Sequence, residues 1–321
     1  MSDFLQFPDL ARRDLGGAVV WANDDAFAAR QNLITPGPAA FDPSAFGPDG
    51  KVYDGWETRR RREPGHDEAV VRLGAPGVVR GVVVDTSWFT GNYPPEASVE
   101  GRDGEGDWFP LVERSPLKGD AENPFAVTSP RRATHVRLRI FPDGGVARLR
   151  VHGEALPDLA LLDALGSVDL AAAEHGGRVT GCSNLFYSSP NNLLLPGPAR
   201  TMGEGWETAR RRDDGNDWVE IALAAEGVVA VAELDTSWFL HNAPGWATLR
   251  GRSGEGEWQD LLPRTALTPD TPHRFLLPDA APATTVRLDV FPDGGLARVR
   301  LHGRLTEQGR AALSERHARA N

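Results

Sequence analysis

The chain is written twice. Gly55-Trp56-Glu57-Thr58 returns as Gly205-Trp206-Glu207-Thr208, and Asp85-Thr86-Ser87-Trp88-Phe89 returns as Asp235-Thr236-Ser237-Trp238-Phe239. Phe141-Pro142-Asp143-Gly144-Gly145 returns as Phe291-Pro292-Asp293-Gly294-Gly295. Each pair is separated by 150 positions. Towards the N-terminus the separation is 160, because Asn32-Leu33 and Pro36-Gly37-Pro38 match Asn192-Leu193 and Pro196-Gly197-Pro198. Copy one therefore holds about ten extra residues between Ala39 and Gly55. Solenoid repeats run at roughly 20–50 residues, so a period this long marks a duplicated domain. Apolar positions kept in both copies follow from a shared core. The kept polar positions need another reason.

A chain of 321 residues with 40% hydrophobic and 25% charged residues is long enough for two cores. A net charge of −10 argues against nonspecific binding to nucleic acid or anionic membranes. No apolar stretch spans a bilayer. The N-terminus shows no basic start followed by an apolar run, and Cys182 is the only cysteine. Both features favour a cytosolic location without disulfides. Of the 35 basic residues only Lys51 and Lys118 are lysines, so runs of arginine carry less information than usual.

Within each copy the pattern is β. Residues 69–73 and 78–84 are short β-branched runs separated by Gly and Pro. Residues 136–140 and 147–151 alternate in polarity on either side of Asp143-Gly144-Gly145, which reads as a hairpin recurring at 286–301. Gly101 to Gly106 and Gly251 to Gly256 read as hairpin turns. The expected fold is all-β, with two tandem jelly-roll β-sandwich domains. The expected division is a lead-in at 1–16, repeat one at 17–153, a connector at 154–176, repeat two at 177–303 and a tail at 304–321. Asp158 is the expected N-cap of a short connector helix, and the tail is expected to be helical.

Two polar clusters are candidates for a site. The first is Glu57 with Arg60, Arg61, Arg62, Gly65 and Asp67, mirrored by Glu207 with Arg210, Arg211, Arg212, Gly215 and Asp217. Adjacent arginines on an extended segment point to opposite sides, so they cannot all serve one ligand. One or two could grip a carboxylate through paired hydrogen bonds; the alternative is structural ion pairing with Glu57 or Asp67. The second cluster is Asp85 to Phe89 with Asn92, mirrored by Asp235 to Phe239 with Asn242. It fits a functional rim or a turn closed by its own side chains. No histidine pair has metalloprotease spacing, there is no cysteine ligand set, and no Gly-x-Ser-x-Gly elbow occurs.

The doubled Gly-Trp-Glu-Thr-x-Arg-Arg-Arg, Asp-Thr-Ser-Trp-Phe-x-x-Asn and Phe-Pro-Asp-Gly-Gly segments resemble the allantoicase (allantoate amidinohydrolase) family. The resemblance runs from about Gly17 to Gly303. It implies two galactose-binding-like jelly rolls, a homo-oligomer, and hydrolysis of allantoate to ureidoglycolate and urea in purine degradation. It demands no cofactor, and a divalent metal stays open. Under it, Arg60 and Arg61, with Arg210 and Arg211, bind the substrate carboxylate. Glu57 or Asp85, with Glu207 and Asp235, acts as base. His66 is the proton donor in copy one only, since copy two has Asn216 there. Asn92 and Asn242 orient a ureido group. Two rivals remain at this point: a non-catalytic carbohydrate-binding sandwich, and an enzyme that cleaves ureidoglycolate.

Overall fold

A computed structural model describes residues 3–48 and 50–320, apart from the Asp3 side chain. It divides into two compact units, with the boundary between Leu156 and Pro157. Each unit is an antiparallel β-sandwich organised around one 19-residue strand, Asp67–Asp85 in unit one and Asp217–Asp235 in unit two.

In unit one the first half of that strand lies between Ala18–Ala22 and Arg132–Phe141. Arg132–Phe141 pairs onward with Glu96–Arg102, and that strand with Phe109–Pro116. The second half pairs with Arg148–Ala155 and Glu122–Ala126. The pairing register breaks between Arg72 and Gly77, around Gly74-Ala75-Pro76. The Gly and Pro there bend one strand from one set of neighbours to another, where the sequence suggested two separate strands. The first half alternates between buried and wetter residues, as expected of a sheet with one covered face. The second half is buried almost throughout, because residues 4–11 cover it. A β-carbon on Gly81 would fall 2.1 Å from the Phe4 ring, and the Leu10 backbone N–H donates to Val151 O at 2.7 Å. The lead-in thus packs as part of the unit one sandwich.

The segment expected as a hairpin around Asp143-Gly144-Gly145 differs from that reading. Arg132–Phe141 and Arg148–Ala155 are both neighbours of the long strand and do not pair with each other. Between them Gly145–Val146 pairs with Trp56–Glu57. The turns at Gly101 and Gly251 do join antiparallel neighbours. The connector helix Leu159–Leu165 is capped by Asp158, whose carboxylate accepts from the Ala160 N–H at 2.9 Å. The tail forms the helix Glu307–Ala320. Among the described residues no helix is long and apolar enough to cross a membrane.

The interval that holds the extra residues of copy one, 40–54, contributes to an aromatic stack. Trp88 lies 5.6 Å from Phe41, Phe41 lies 5.3 Å from Tyr53, and Tyr53 lies 4.8 Å from Phe89, measured between ring centroids. Below it the Arg148 guanidinium is almost fully buried, with Nη2 donating to Asp54 Oδ2 at 2.6 Å and Nη1 to Asp54 O at 3.0 Å. Packing is tight at Gly145, where a β-carbon would sit 2.0 Å from the Phe89 ring. Gly145→Ala is expected to destabilise the protein by at least the ~1–3 kcal/mol typical of overpacking, seen as a lower denaturant midpoint. Gly91 is exposed, and a β-carbon there would have nothing within 4 Å. Gly91→Ala should therefore leave the midpoint near that of the parent.

Candidate active site

Three duplicated segments meet at one corner of unit one. Thr58 and Gly144 exchange bonds: the Thr58 N–H donates to Gly144 O, and the Gly144 N–H donates to Thr58 Oγ1, both at 3.2 Å. The Gly145 N–H donates to Asn92 O at 2.7 Å. The Arg61 N–H donates to Asp143 Oδ2 at 2.7 Å. Trp56 is fully buried and its indole N–H donates to Asp24 O at 2.7 Å. With Trp56 and Thr58 turned inward, strand alternation turns Glu57 outward.

Glu57 then opens onto a cleft of about 620 Å³ that Arg60, Arg62, Asn92 and Tyr93 also line. Asn92 Nδ2 donates to Glu57 Oε1 at 2.7 Å, while Oε2 has no hydrogen-bond partner among the described residues. Burial pushes the Glu57 carboxyl above its ordinary range, and the Asn92 bond offsets part of that rise. Arg60 and Arg62 are exposed and make no hydrogen bond or ion pair with a described residue. They are two free cations beside a carboxylate that resists ionisation.

Arg61 takes the opposite course. Its Nη1 donates to the buried Asp67 Oδ1 at 2.6 Å and to His66 O at 3.1 Å. Arg211 does the same to Asp217 at 2.8 Å. These bonds tie Arg61 and Arg211 to the fold, and it is Arg60 and Arg62 that line the Glu57 cleft. Arg62 was not among the expected binding residues, although alternation along an extended segment places residues two apart on one side.

Asp85 and His66 also lie elsewhere. Asp85 Oδ1 accepts from the Ser87 N–H at 2.8 Å, closing its own turn, and Asp235 does so with Ser237 at the same distance. Asp85 borders a different recess, of about 370 Å³, shared with Asp9, Arg150 and His152. His66 Nε2 stands 3.4 Å from Glu68 Oε2 and does not line the Glu57 cleft. Among the described residues no group of three or more His, Cys, Asp or Glu could hold a metal ion.

Unit two repeats the central pair, with Asn242 Nδ2 donating to Glu207 Oε1 at 2.6 Å. Arg210 and Arg212 are again without a partner among the described residues. Its surroundings differ: Arg59 is replaced by Ala209 and Tyr93 by Ala243. The two roles of the arginines are separable. Arg61→Met should cost about 3 kcal/mol, because it removes the ion-pair partner of the buried Asp67 and leaves its Oδ1 only the Asn23 amide, at 2.8 Å. Arg60→Met should shift stability by no more than about 0.5 kcal/mol; chemical denaturation of both variants checks this.

The allantoicase repeat model matches residues 8–156 and 168–306. The chain is 60% identical over 317 residues to a probable allantoicase of Nocardia farcinica, covering 94% of this chain and 95% of that protein. It is 42% identical over 320 residues to a probable allantoicase of Pseudomonas aeruginosa, covering 94% and 96%. A crystal structure of allantoicase from Saccharomyces cerevisiae superposes with a TM-score of 0.81 at 32% identity, covering 92% of this chain and 93% of that one. The doubled motifs, the doubled sandwich and these similarities agree: the chain belongs to the allantoicase family.

Proposed function

We propose that this protein hydrolyses allantoate to ureidoglycolate and urea, and that the Glu57 cleft of unit one carries the turnover. Family membership supports the substrate. The observation that carries the site is the Glu57–Asn92 pair of 2.7 Å in a cleft edged by the uncommitted Arg60 and Arg62.

The substrate has a carboxylate and two ureido groups on one carbon. Arg60 and Arg62 neutralise the carboxylate, where the guanidinium fork matches two oxygens. Asn92 holds Glu57 in place through Oε1, leaving Oε2 for the reaction. Glu57 takes a proton from water, the oxygen bonds to the central carbon, and the bond from that carbon to one ureido nitrogen breaks. That nitrogen receives a proton and departs as urea. A carboxylate lifted towards neutrality by burial suits this exchange, since a base works best with a pKa near the working pH. A homo-oligomer in the cytosol completes the proposal. The exposed Leu185, Phe186 and Tyr187 of unit two are surface of the kind buried between subunits, and light scattering would give the subunit number.

Urea release from allantoate by the purified, chelator-treated protein tests the reading directly. Glu57→Gln should lower it by roughly 10²–10⁴-fold; a variant retaining about half of the parent rate would instead place a working site in unit two. Arg62→Met should raise KM by roughly 10- to 100-fold, the loss of a charge-assisted bond. The pH dependence has a defined sign. Glu57 must be ionised to act, and its folded pKa is raised, so turnover should fall on acidification at a higher pH than an ordinary glutamate would give. The folded state also binds this proton more tightly than the unfolded chain, so ionised Glu57 costs stability as pH rises through that window. Glu57→Gln should therefore melt above the parent at neutral pH, with the difference closing in acid.

A further inference from the structure

Tyr93 follows Asn92 directly and lines the same cleft. Its side chain is partly buried, yet its hydroxyl makes no hydrogen bond to any described residue. The ring sits against Gly119 so closely that a β-carbon there would fall 2.4 Å from Cδ1 and 2.5 Å from Cε1. Gly119 has no positive φ, so the neighbouring ring, not the backbone, is what excludes a side chain. Unit two has lost both members together: Ala243 stands for Tyr93, and Pro269 for Gly119. The Glu207–Asn242 bond nevertheless persists there at 2.6 Å. The tyrosine and its glycine seat therefore vary as a pair, independently of the carboxylate and amide they adjoin.

We propose that Tyr93 is a catalytic residue of unit one, whose hydroxyl donates a hydrogen bond to the carbonyl oxygen of the departing ureido group. This rests on the allantoate reading above. The arginines match the substrate carboxylate, and Glu57 accepts protons. The ureido oxygen still needs a donor, and a phenol hydroxyl supplies one. As the carbon–nitrogen bond breaks, electron density moves onto the departing nitrogen and its conjugated oxygen. A donor aimed at that oxygen is worth more in the transition state than in the bound substrate. The phenol keeps its own proton throughout. Gly119 is a positioning residue that acts only by seating the ring, and unit two, without either, is not equipped for the same step.

The test is the kcat and KM for urea release, with thermal melts, of the parent, Tyr93→Phe, Gly119→Ala and the double variant. Tyr93→Phe should lower kcat by about 10- to 100-fold, the scale of one lost hydrogen bond to developing charge, with KM within about twofold and an unchanged melt. Gly119→Ala should also lower kcat, and the double variant should fall no further than Tyr93→Phe alone. A Tyr93→Phe variant with kcat within about twofold of the parent would overturn the proposal, as would losses that multiply in the double variant. A folded parent that releases no urea would remove the allantoate reading itself, and this inference with it.

Discussion

Everything at the Glu57 corner of unit one depends on one close approach. The paired glycines at 144 and 145 let the chain pass where side chains would collide, against Asn92 O and the Phe89 ring. Gly144 holds a φ of 136°, a conformation that glycine adopts without a steric penalty. Through this contact the Trp56–Glu57 strand finds its partner, the Asn92 backbone finds a donor, and Thr58 is satisfied from both sides. The Glu57–Asn92 geometry is thus a by-product of backbone packing. Unit two repeats the contact, with a β-carbon on Gly295 falling 1.9 Å from the Phe239 ring.

Many other polar residues kept in both copies close turns of the fold. Thr86 Oγ1 donates to Lys118 O at 2.6 Å, and Thr236 Oγ1 donates to Thr268 O at 2.7 Å. The backbone N–H groups of Trp88 and Trp238, both at positive φ, donate to Asp120 and Asp270 at 2.7 Å. Most of the duplicated rim is therefore turn chemistry, and what remains over is Glu57, Asn92 and the outward arginines. Duplication multiplies structural requirements along with functional ones, so it cannot by itself separate them.

The strands, the connector helix with its cap, and the duplicated architecture were legible because alternation, capping and repetition are local signals. The partnership of strands was not. The turn at Gly144 looks like a hairpin from its residues alone, and only the bend at Gly74-Ala75-Pro76 decides that both flanking strands pair with Asp67–Asp85 instead. Of the site, Glu57 and Asn92 stood out as kept polar residues, but that they touch depends on contacts 35 positions apart in sequence. That Arg62 lines the same cleft as Arg60 could have been read from alternation. The separation of Asp85 and His66 from Glu57 could not, because which residues share a cleft is set by tertiary packing.

The loop between Ala39 and Gly55 shows where such a design leaves room for change. Its ends are fixed, because Trp88 Nε1 donates to Ala39 O at 3.0 Å and Gly55 is wedged against Val146 O. Unit two fixes the same ends, Ala199 and Gly205, around residues 200–204 only, where unit one runs through 40–54. Tripling a flexible loop adds only about 1 kcal/mol of closure entropy, and the stack of Phe41 and Tyr53 against Trp88 and Phe89 acts against that cost. Length can therefore differ in this interval with both ends held, and the two copies keep time at 150 residues after it and at 160 before it.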